Sequence, residues 1–167
     1  MTIRIEQTGD EQQIQQLVTD AFESDAEARL VNALRASDGE FVSLVATGNN
    51  KIVGHVLFTT VKLDGDSHLN LLGLAPLAVS TESQGTGIGS ELVNAGLLTC
   101  KKLGTDAVMV LGAPEYYGRF GFTPASSFGI SSVYEVEKQY FMLLELKTDS
   151  LDGKSGTVRY HDAFAGV

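Results

Sequence analysis

The sequence is short of the features that mark several classes of protein. It has one cysteine, Cys100, in 167 residues. That excludes an intrachain disulfide and leaves no second thiolate for a cysteine-based zinc site. The three histidines, His55, His68 and His161, stand at no metal-ligand spacing, so no metal is expected. Basic residues are few: 12 Lys and Arg against 21 Asp and Glu, for a net charge of -9. A general nucleic-acid binder would carry the opposite balance. The acidity is compatible with a cationic or amine substrate. No stretch reaches the roughly 18 apolar residues of a membrane span. The opening, "MTIRIEQTGDEQQ", holds no apolar signal region. The expectation is a soluble cytoplasmic protein. There is no repeat, low-complexity run or linker, which predicts a single domain over 1–167.

The apolar pattern predicts the elements. "TIRIE" alternates as a short strand. Thr8 with Glu11, and Ser24 with Glu27, read as capping boxes that open two helices. Ile14, Leu17 and Val18 share one face of the first, and Leu30, Val31 and Leu34 one face of the second. "FVSLVAT" and "KIVGHVLFTTVKLD", joined by a Gly-Asn-Asn-Lys turn, predict a hairpin, and "LNLLGLAPLAVS" a third long strand. A helix then carries Ile88, Leu92, Val93, Gly96, Leu97, Cys100 and Leu103 on one face, with Cys100 a core residue. "DAVMVL" follows as a strand parallel to the third. "GAPEYYGRFGF" reads as a short helix from Pro114 to Gly121, and "YFMLLELK" as a late strand. The tail offers one more. The class is mixed α/β.

The chemistry gathers in "VSTESQGTGIGSEL", where Gly85, Gly87 and Gly89 alternate between a strand and a helix. Such loops hold anions. The mononucleotide loop G-x-x-x-x-G-K-[ST] fails, because Ser90 stands where its second glycine belongs and no lysine follows. The dinucleotide fingerprint G-x-G-x-x-G fails at the same Ser90. Asp106 lies about 20 residues on, as that fingerprint expects, but ahead of its strand and not at the far end. A pattern Q-x-x-G-x-G is met by Gln84, Gly87 and Gly89, and Y-x-x-x-G-F by Tyr117, Gly121 and Phe122 about 30 residues later. In these two motifs, and in the order of its elements, the chain resembles the GNAT superfamily of N-acetyltransferases over most of its length. The alternating glycines suit a pyrophosphate cradle, because successive amides can turn toward one anion at a helix start.

The resemblance implies a mixed sheet in which central antiparallel strands splay from a parallel strand at a bulge, flanked by helices. Pro76 marks that bulge or an edge. Acetyl-CoA, the implied cosubstrate, would meet the backbone of Leu77, Ala78 and Val79 and the loop residues Gln84, Gly85, Thr86, Gly87, Ile88, Gly89 and Ser90. Tyr117 is by resemblance the phenol that protonates the leaving thiolate; Tyr116 sits about 100° away around a helix. The implied reaction is direct attack of a primary amine on the thioester in a ternary complex. A non-catalytic acyl-CoA binding module is the alternative. One departure stands out: Val110 occupies a position where many members carry Asn, and "GAP" replaces the usual helix opening. The general base stays open among His55, Asp25, Glu27 and water. Glu23, Asp25 and Glu27 form an acidic joint suited to a cationic acceptor, small molecule or peptide. The role of Arg119 and a homodimeric state are left open.

Overall fold

Alternating apolar residues set the strands, and apolar residues three or four apart set the helices. The computed structural model describes residues 1–166. In chain order they form β1 (Thr2–Ile5), α1 (Glu11–Phe22), α2 (Ala26–Arg35), β2 (Phe41–Gly48), β3 (Lys51–Leu63), β4 (Asp66–Val79), α3 (Ile88–Lys102), β5 (Ala107–Leu111), α4 (Pro114–Tyr117), β6 (Thr123–Pro124), β7 (Ile130–Ser132), β8 (Phe141–Glu145) and β9 (Gly156–Arg159). The sheet is mixed: β4 and β5 run parallel, whereas β1, β2 and β3 are antiparallel in turn. The residues group into two compact units.

The first unit holds Met1–Thr59, Ala75–Leu98 and the chain from Asp162. Thr2 pairs with Thr47 and Ile5 with Leu44; Phe41 pairs with Thr59 and Gly48 with Lys51. Asn49 and Asn50 both take left-handed φ, at 52° and 63°, as a tight hairpin turn requires. Ile14, Leu17 and Val18 of α1 are buried, as are Leu30, Val31 and Leu34 of α2. Both expected capping boxes are corrected. Asp10, not Thr8, precedes α1, and its carboxylate takes the Arg4 guanidinium at 2.7 Å and the Gln7 N–H at 2.7 Å. Asp25 precedes α2, and Ser24 accepts only the Ala26 N–H at 3.2 Å. The start of α3 lies tight on β3. A Cβ at Gly54 would come within 2.8 Å of Leu92, and one at Gly96 within 2.2 Å of Phe58. Those two contacts set where the glycine loop ahead of α3 must sit.

The second unit holds Thr60–Leu74 and Thr99–His161. The β4–β5 register runs from Leu71↔Ala107 to Gly73↔Met109. β8 lies antiparallel to β5, with Ala107 opposite Glu145, and β6 adds to β8. β9 pairs with the end of β3 and with β7. Met109, Ile130, Leu143 and Val158 lie in its core. Asp106 has a structural task here. Its carboxylate accepts the Asn70 N–H at 2.8 Å, and its carbonyl accepts the Leu146 N–H at 2.8 Å. That ties β4 to the start of β5 and to the end of β8. Leu103 was expected on the buried face of α3 but is 54% exposed, because it lies just past the end of α3, in the turn that leads to Gly104. Cys100 is buried, as expected.

Candidate functional site

The loop of the first unit is built from its own backbone and two side-chain braces. The Ser80 N–H donates to the Val53 carbonyl at 2.8 Å, which fixes the exit from β4. A 3-10 turn over Thr81–Ser83 follows, with the Ser83 N–H on the Ser80 carbonyl at 2.9 Å. The Gln84 side-chain amide donates to the Val79 carbonyl at 3.1 Å, and the Thr86 hydroxyl donates to the Ser83 carbonyl. Gln84 and Thr86 therefore hold the loop's shape.

Gly85 and Gly87 carry φ of 76° and 89°, where an L side chain is strained. A Cβ at either would meet nothing within 4 Å. The space over both glycines is open, so local packing does not exclude a side chain there. Backbone conformation demands the glycines, and the open space suits a ligand. The first intrahelical bond of α3 runs from the Glu91 N–H to the Gly87 carbonyl at 3.1 Å. The amides of Ile88, Gly89 and Ser90 thus form the helix's first turn, at the positive end of its dipole. Ile88 is buried and pins the loop, while Gly85, Thr86 and Gly87 are exposed. Pro76 lies inside β4 after a cis peptide bond from Ala75; Ala78 is buried, and Leu77 and Val79 are half-buried. An anion fits this arrangement, and the loop recruits no basic side chain for it.

The tyrosine turn belongs to the second unit. Pro114 sits at the start of α4, and the N–H groups of Tyr116 and Tyr117 both reach the Ala113 carbonyl, at 3.1 and 3.0 Å. The two tyrosines part from there. Tyr117 lies on Gly112, where a Cβ would come within 2.3 Å of its ring, and it meets Phe122 edge-on at 5.8 Å. Tyr116 carries the Arg119 guanidinium over its ring at 4.5 Å. Burial, with a contribution from Tyr116, pushes the Tyr117 phenol up to about 12. Tyr117 therefore stays protonated at neutral pH and keeps a hydrogen to donate.

His55 belongs to a different structure. It is 0% exposed, and its Nε2 lies 2.9 Å from the Ser43 hydroxyl. Ser43 donates to the Glu6 carboxylate at 2.8 Å, so His55 must be the donor to Ser43 and carry its proton on Nε2. Arg35 forks onto both Glu6 oxygens at 3.0 and 2.9 Å. Burial would raise the Glu6 carboxyl, but the Arg35 and Ser43 hydrogen bonds outweigh it and hold it below the ordinary range. Burial lowers His55 to about 4, against an opposing pull from Glu6. A group so enclosed and so weakly basic is a strut between β1, β2, β3 and α2. No local pattern marks this network, because its members come from β2, β3, α2 and the residue after β1.

In the acidic joint, Glu23 caps α1 at a left-handed φ of 54°, and Asp25 pairs with Arg29 at 3.3 Å, both largely exposed. Glu27 is half-buried, and its Oε2 is shielded from solvent. Among the described residues no group of three metal-ligating side chains assembles, and no helix is long and apolar enough to cross a membrane.

Comparison with known proteins agrees with this geometry. Residues 2–125 match the family described as the acetyltransferase (GNAT) domain. The chain is 38% identical over 165 residues to the uncharacterized N-acetyltransferase YhbS of Escherichia coli K12, covering 98% of each. It is 36% identical to the uncharacterized N-acetyltransferase YjhQ of the same organism, covering 83% of this chain and 79% of that one. The crystal structure of Escherichia coli YhbS in complex with CoA superposes with a TM-score of 0.93 at 37% identity, covering 98% of this chain and 91% of that one. A GNAT acetyltransferase from Brucella melitensis in complex with acetyl-CoA gives 0.81 at 33%, covering 98% and 97%. With the glycine loop, the tyrosine turn and the mixed sheet already in place, these matches identify the chain as a member of the GNAT acetyltransferase family.

Proposed function

We propose that this protein transfers an acetyl group from acetyl-CoA to a primary amine, by direct attack in a ternary complex. The observation that carries the reading is the loop from Ser80 to Gly87. Its two left-handed glycines are open to solvent and lead straight into the first-turn amides of α3. Such a loop would suit a pyrophosphate, and the reading is supported by the similar structures from Escherichia coli and Brucella melitensis, which hold CoA and acetyl-CoA. Backbone groups of Leu77, Ala78 and Val79, with the loop from Gln84 to Ser90, would hold the cosubstrate. Any side chain there would have to fit around them.

In the reaction the ammonium gives one proton to water, the amine nitrogen bonds to the thioester carbon, the carbon–sulfur bond breaks, and the second proton lost by nitrogen balances the one that sulfur takes up. We assign the hydrogen-bond donor to the departing sulfur to the Tyr117 hydroxyl. Its raised pKa keeps the donor intact, and it also makes full transfer to a thiolate uphill, since an ordinary thiol titrates near 8.5. Tyr117 then acts chiefly as a hydrogen-bond donor to the charge developing on sulfur. His55 is not the base in this scheme, because it is enclosed and its basicity is low.

The test is a titration with acetyl-CoA beside NADH, followed by free-thiol release across a panel of primary amines. Binding of acetyl-CoA alone, with thiol release on some amines, is the expected result. Acetyl-CoA binding without turnover on any amine would favour the non-catalytic acyl-CoA module.

A further inference from the structure

The second unit carries an aromatic ring where two parallel strands part. β4 and β5 pair at Leu71↔Ala107, Leu72↔Val108 and Gly73↔Met109. β4 then runs on to Val79 and β5 to Leu111, with no further pairing between them among the described residues. The Gly73↔Met109 rung is therefore the closed end of a gap between the two strands. Gly73 has no left-handed φ, so its backbone would allow a side chain. Space does not: a Cβ there would come within 2.9 Å of Tyr160 Cε2 and 2.9 Å of Val61 Cγ1. Glycine inside a strand weakens it and often marks a close approach by another group. Here the approaching group is the Tyr160 ring.

That ring has little freedom to move. Tyr160 follows β9, whose register with β3 is fixed at Lys62↔Arg159 and Leu63↔Val158. Arg159 Nε also bonds both Asp64 oxygens, at 2.8 and 2.9 Å. The Tyr134 ring packs on Tyr160 with centroids 5.6 Å apart, and the Tyr134 N–H is tied to the Ser132 hydroxyl at 3.1 Å. Tyr160 also packs against the core that holds Val61, Leu71 and Met109. Past the rung the strands open. Ala75, Leu77 and Val79 are half-buried at alternate positions of β4, and Leu111, two residues beyond Met109, is 38% exposed. A rung capped by a fixed ring, with open positions past it, makes a slot of set depth. Tyr134 and Tyr160 lie outside residues 2–125, the span that matches the acetyltransferase domain.

We infer that Tyr160 limits the length of the acyl group that the cosubstrate can carry. The inference rests on the acyl-CoA reading, in which the pantetheine arm runs from the Ser80–Gly87 loop alongside Val79, Ala78 and Leu77. β4 reaches that loop from Gly73, so an arm that follows the strand back from the loop heads toward the Gly73↔Met109 rung. The acyl end is then the part that approaches the Tyr160 ring. An acetyl group ends in one methyl. Each added methylene must press on a ring that Gly73, Tyr134 and the β9 register keep in place. One methylene in a pocket is worth roughly tenfold or more in discrimination. Tyr160 is a specificity residue in this account, and its ring, not its hydroxyl, is the gauge.

The experiment measures the Kd of acetyl-CoA, propionyl-CoA and butyryl-CoA by calorimetric titration, which needs no acceptor. It compares the unaltered protein with Tyr160→Leu, Tyr160→Phe and Tyr134→Leu. The unaltered protein should bind acetyl-CoA at least about tenfold more tightly than butyryl-CoA, with propionyl-CoA between them. Tyr160→Leu removes the ring and should bring acetyl-CoA and butyryl-CoA to within about threefold, chiefly by improving butyryl-CoA. Tyr160→Phe keeps the ring and should keep the ratio. Tyr134→Leu leaves the ring on Gly73 without its neighbour and should lower the ratio at least about threefold. It carries the test if Tyr160→Leu does not fold. A purely structural role for these rings would weaken all three ligands alike and leave the ratio where it was. An unaltered protein that binds butyryl-CoA as tightly as acetyl-CoA, or a ratio that neither leucine variant changes, overturns the inference while the acyl-CoA reading stands. No binding of any of the three would remove the acyl-CoA reading, and the gauge with it.

Discussion

In the loop from Ser80 to Gly87 the groups we assign to the cosubstrate are backbone amides, and side chains such as Gln84 and Thr86 brace the loop. In the turn from Gly112 to Gly121 the arrangement is reversed. There the group we assign to the reaction is a side chain, Tyr117, and the backbone, through Gly112, makes room for it. A backbone site is specified by the residues that permit its conformation, so its mark in the sequence is glycine. A side-chain site is specified by the working residue and by whatever packs on it. The two regions also keep buried titratable groups neutral in opposite ways. His55, in the loop's unit, is held below its ordinary pKa, and Tyr117, in the other, is held above its own. The first unit should therefore fail in acid, while the tyrosine should fail only in strong alkali.

That contrast gives the largest expected effect. His55 is about 4 when folded and near 6.5 when unfolded. Between those values the unfolded chain binds more protons. The stability of neutral, buried His55 is complete above about pH 6.5 and is lost as pH falls toward 4, by roughly 3 kcal/mol in all. Glu6, held below its ordinary pKa, adds a loss in the same direction at still lower pH. Urea unfolding from pH 7.5 to 4 should show this decline, and His55→Gln should flatten it. An equal slope in the variant would assign the acid sensitivity to other groups.

The next effect separates chemistry from binding. Tyr117→Phe keeps the ring and its packing on Gly112 and Phe122 and removes the hydroxyl. General acid assistance is worth about 10²–10⁴, and water can replace part of it, so kcat should fall at least about 30-fold. Acetyl-CoA affinity should hardly move. Tyr116→Phe is the control and should cost little, because Arg119 stacks on a ring that remains. Reversed behaviour of the two variants would make Tyr116 the donor. The rate should also show no alkaline loss from Tyr117 between pH 7 and 10.

Gly87→Val tests the other half of the comparison. The open space around Gly87 means the branched side chain meets no protein atom, but φ of 89° strains it, and it would stand where a pyrophosphate approaches. Acetyl-CoA affinity should fall at least about tenfold, near 1.4 kcal/mol, with kcat at saturation less affected. A folded variant that binds normally would remove the loop from the cosubstrate site.

The difference between the regions also explains what could be read in advance. The glycine loop, the helix start at Ile88 and the parallel β5 were legible, since each depends on local pattern. The role assigned to Tyr117 rests on its resemblance to a known motif, since no local pattern marks it. β6 and β7 were not legible, because strands of two and three residues carry no periodicity. The capping boxes misled because Asp10 and Arg4, six residues apart, form a pair that outcompetes Thr8. The Arg35–Glu6–Ser43–His55 chain was invisible for a related reason: Glu6 and Ser43 stand 37 residues apart and only the fold joins them.

The smallest expected effect concerns the support beneath Tyr117, and it tests whether placement matters apart from the hydroxyl. Gly112 has no left-handed φ, so alanine is allowed there by the backbone. Its Cβ would nevertheless come within 2.3 Å of Tyr117 Cε2 and 2.7 Å of Cδ2, so something must shift. The ring is the freer partner, because the Gly112 N–H is tied to the Tyr140 carbonyl at 2.9 Å. Tyr116 and Phe122 meet the ring edge-on at 5.0 and 5.8 Å, and a shift of the ring disturbs both contacts. Gly112→Ala should lower kcat by about three- to tenfold, since a misplaced donor keeps part of its effect. Acetyl-CoA affinity should stay unchanged, because the loop lies in the other unit. In the double variant with Tyr117→Phe the loss should not add, since the displaced ring then has no hydroxyl to misplace. Full additivity would mean that Gly112 acts on the reaction by some route other than Tyr117, and the tyrosine turn would no longer be a side-chain site supported from its backbone.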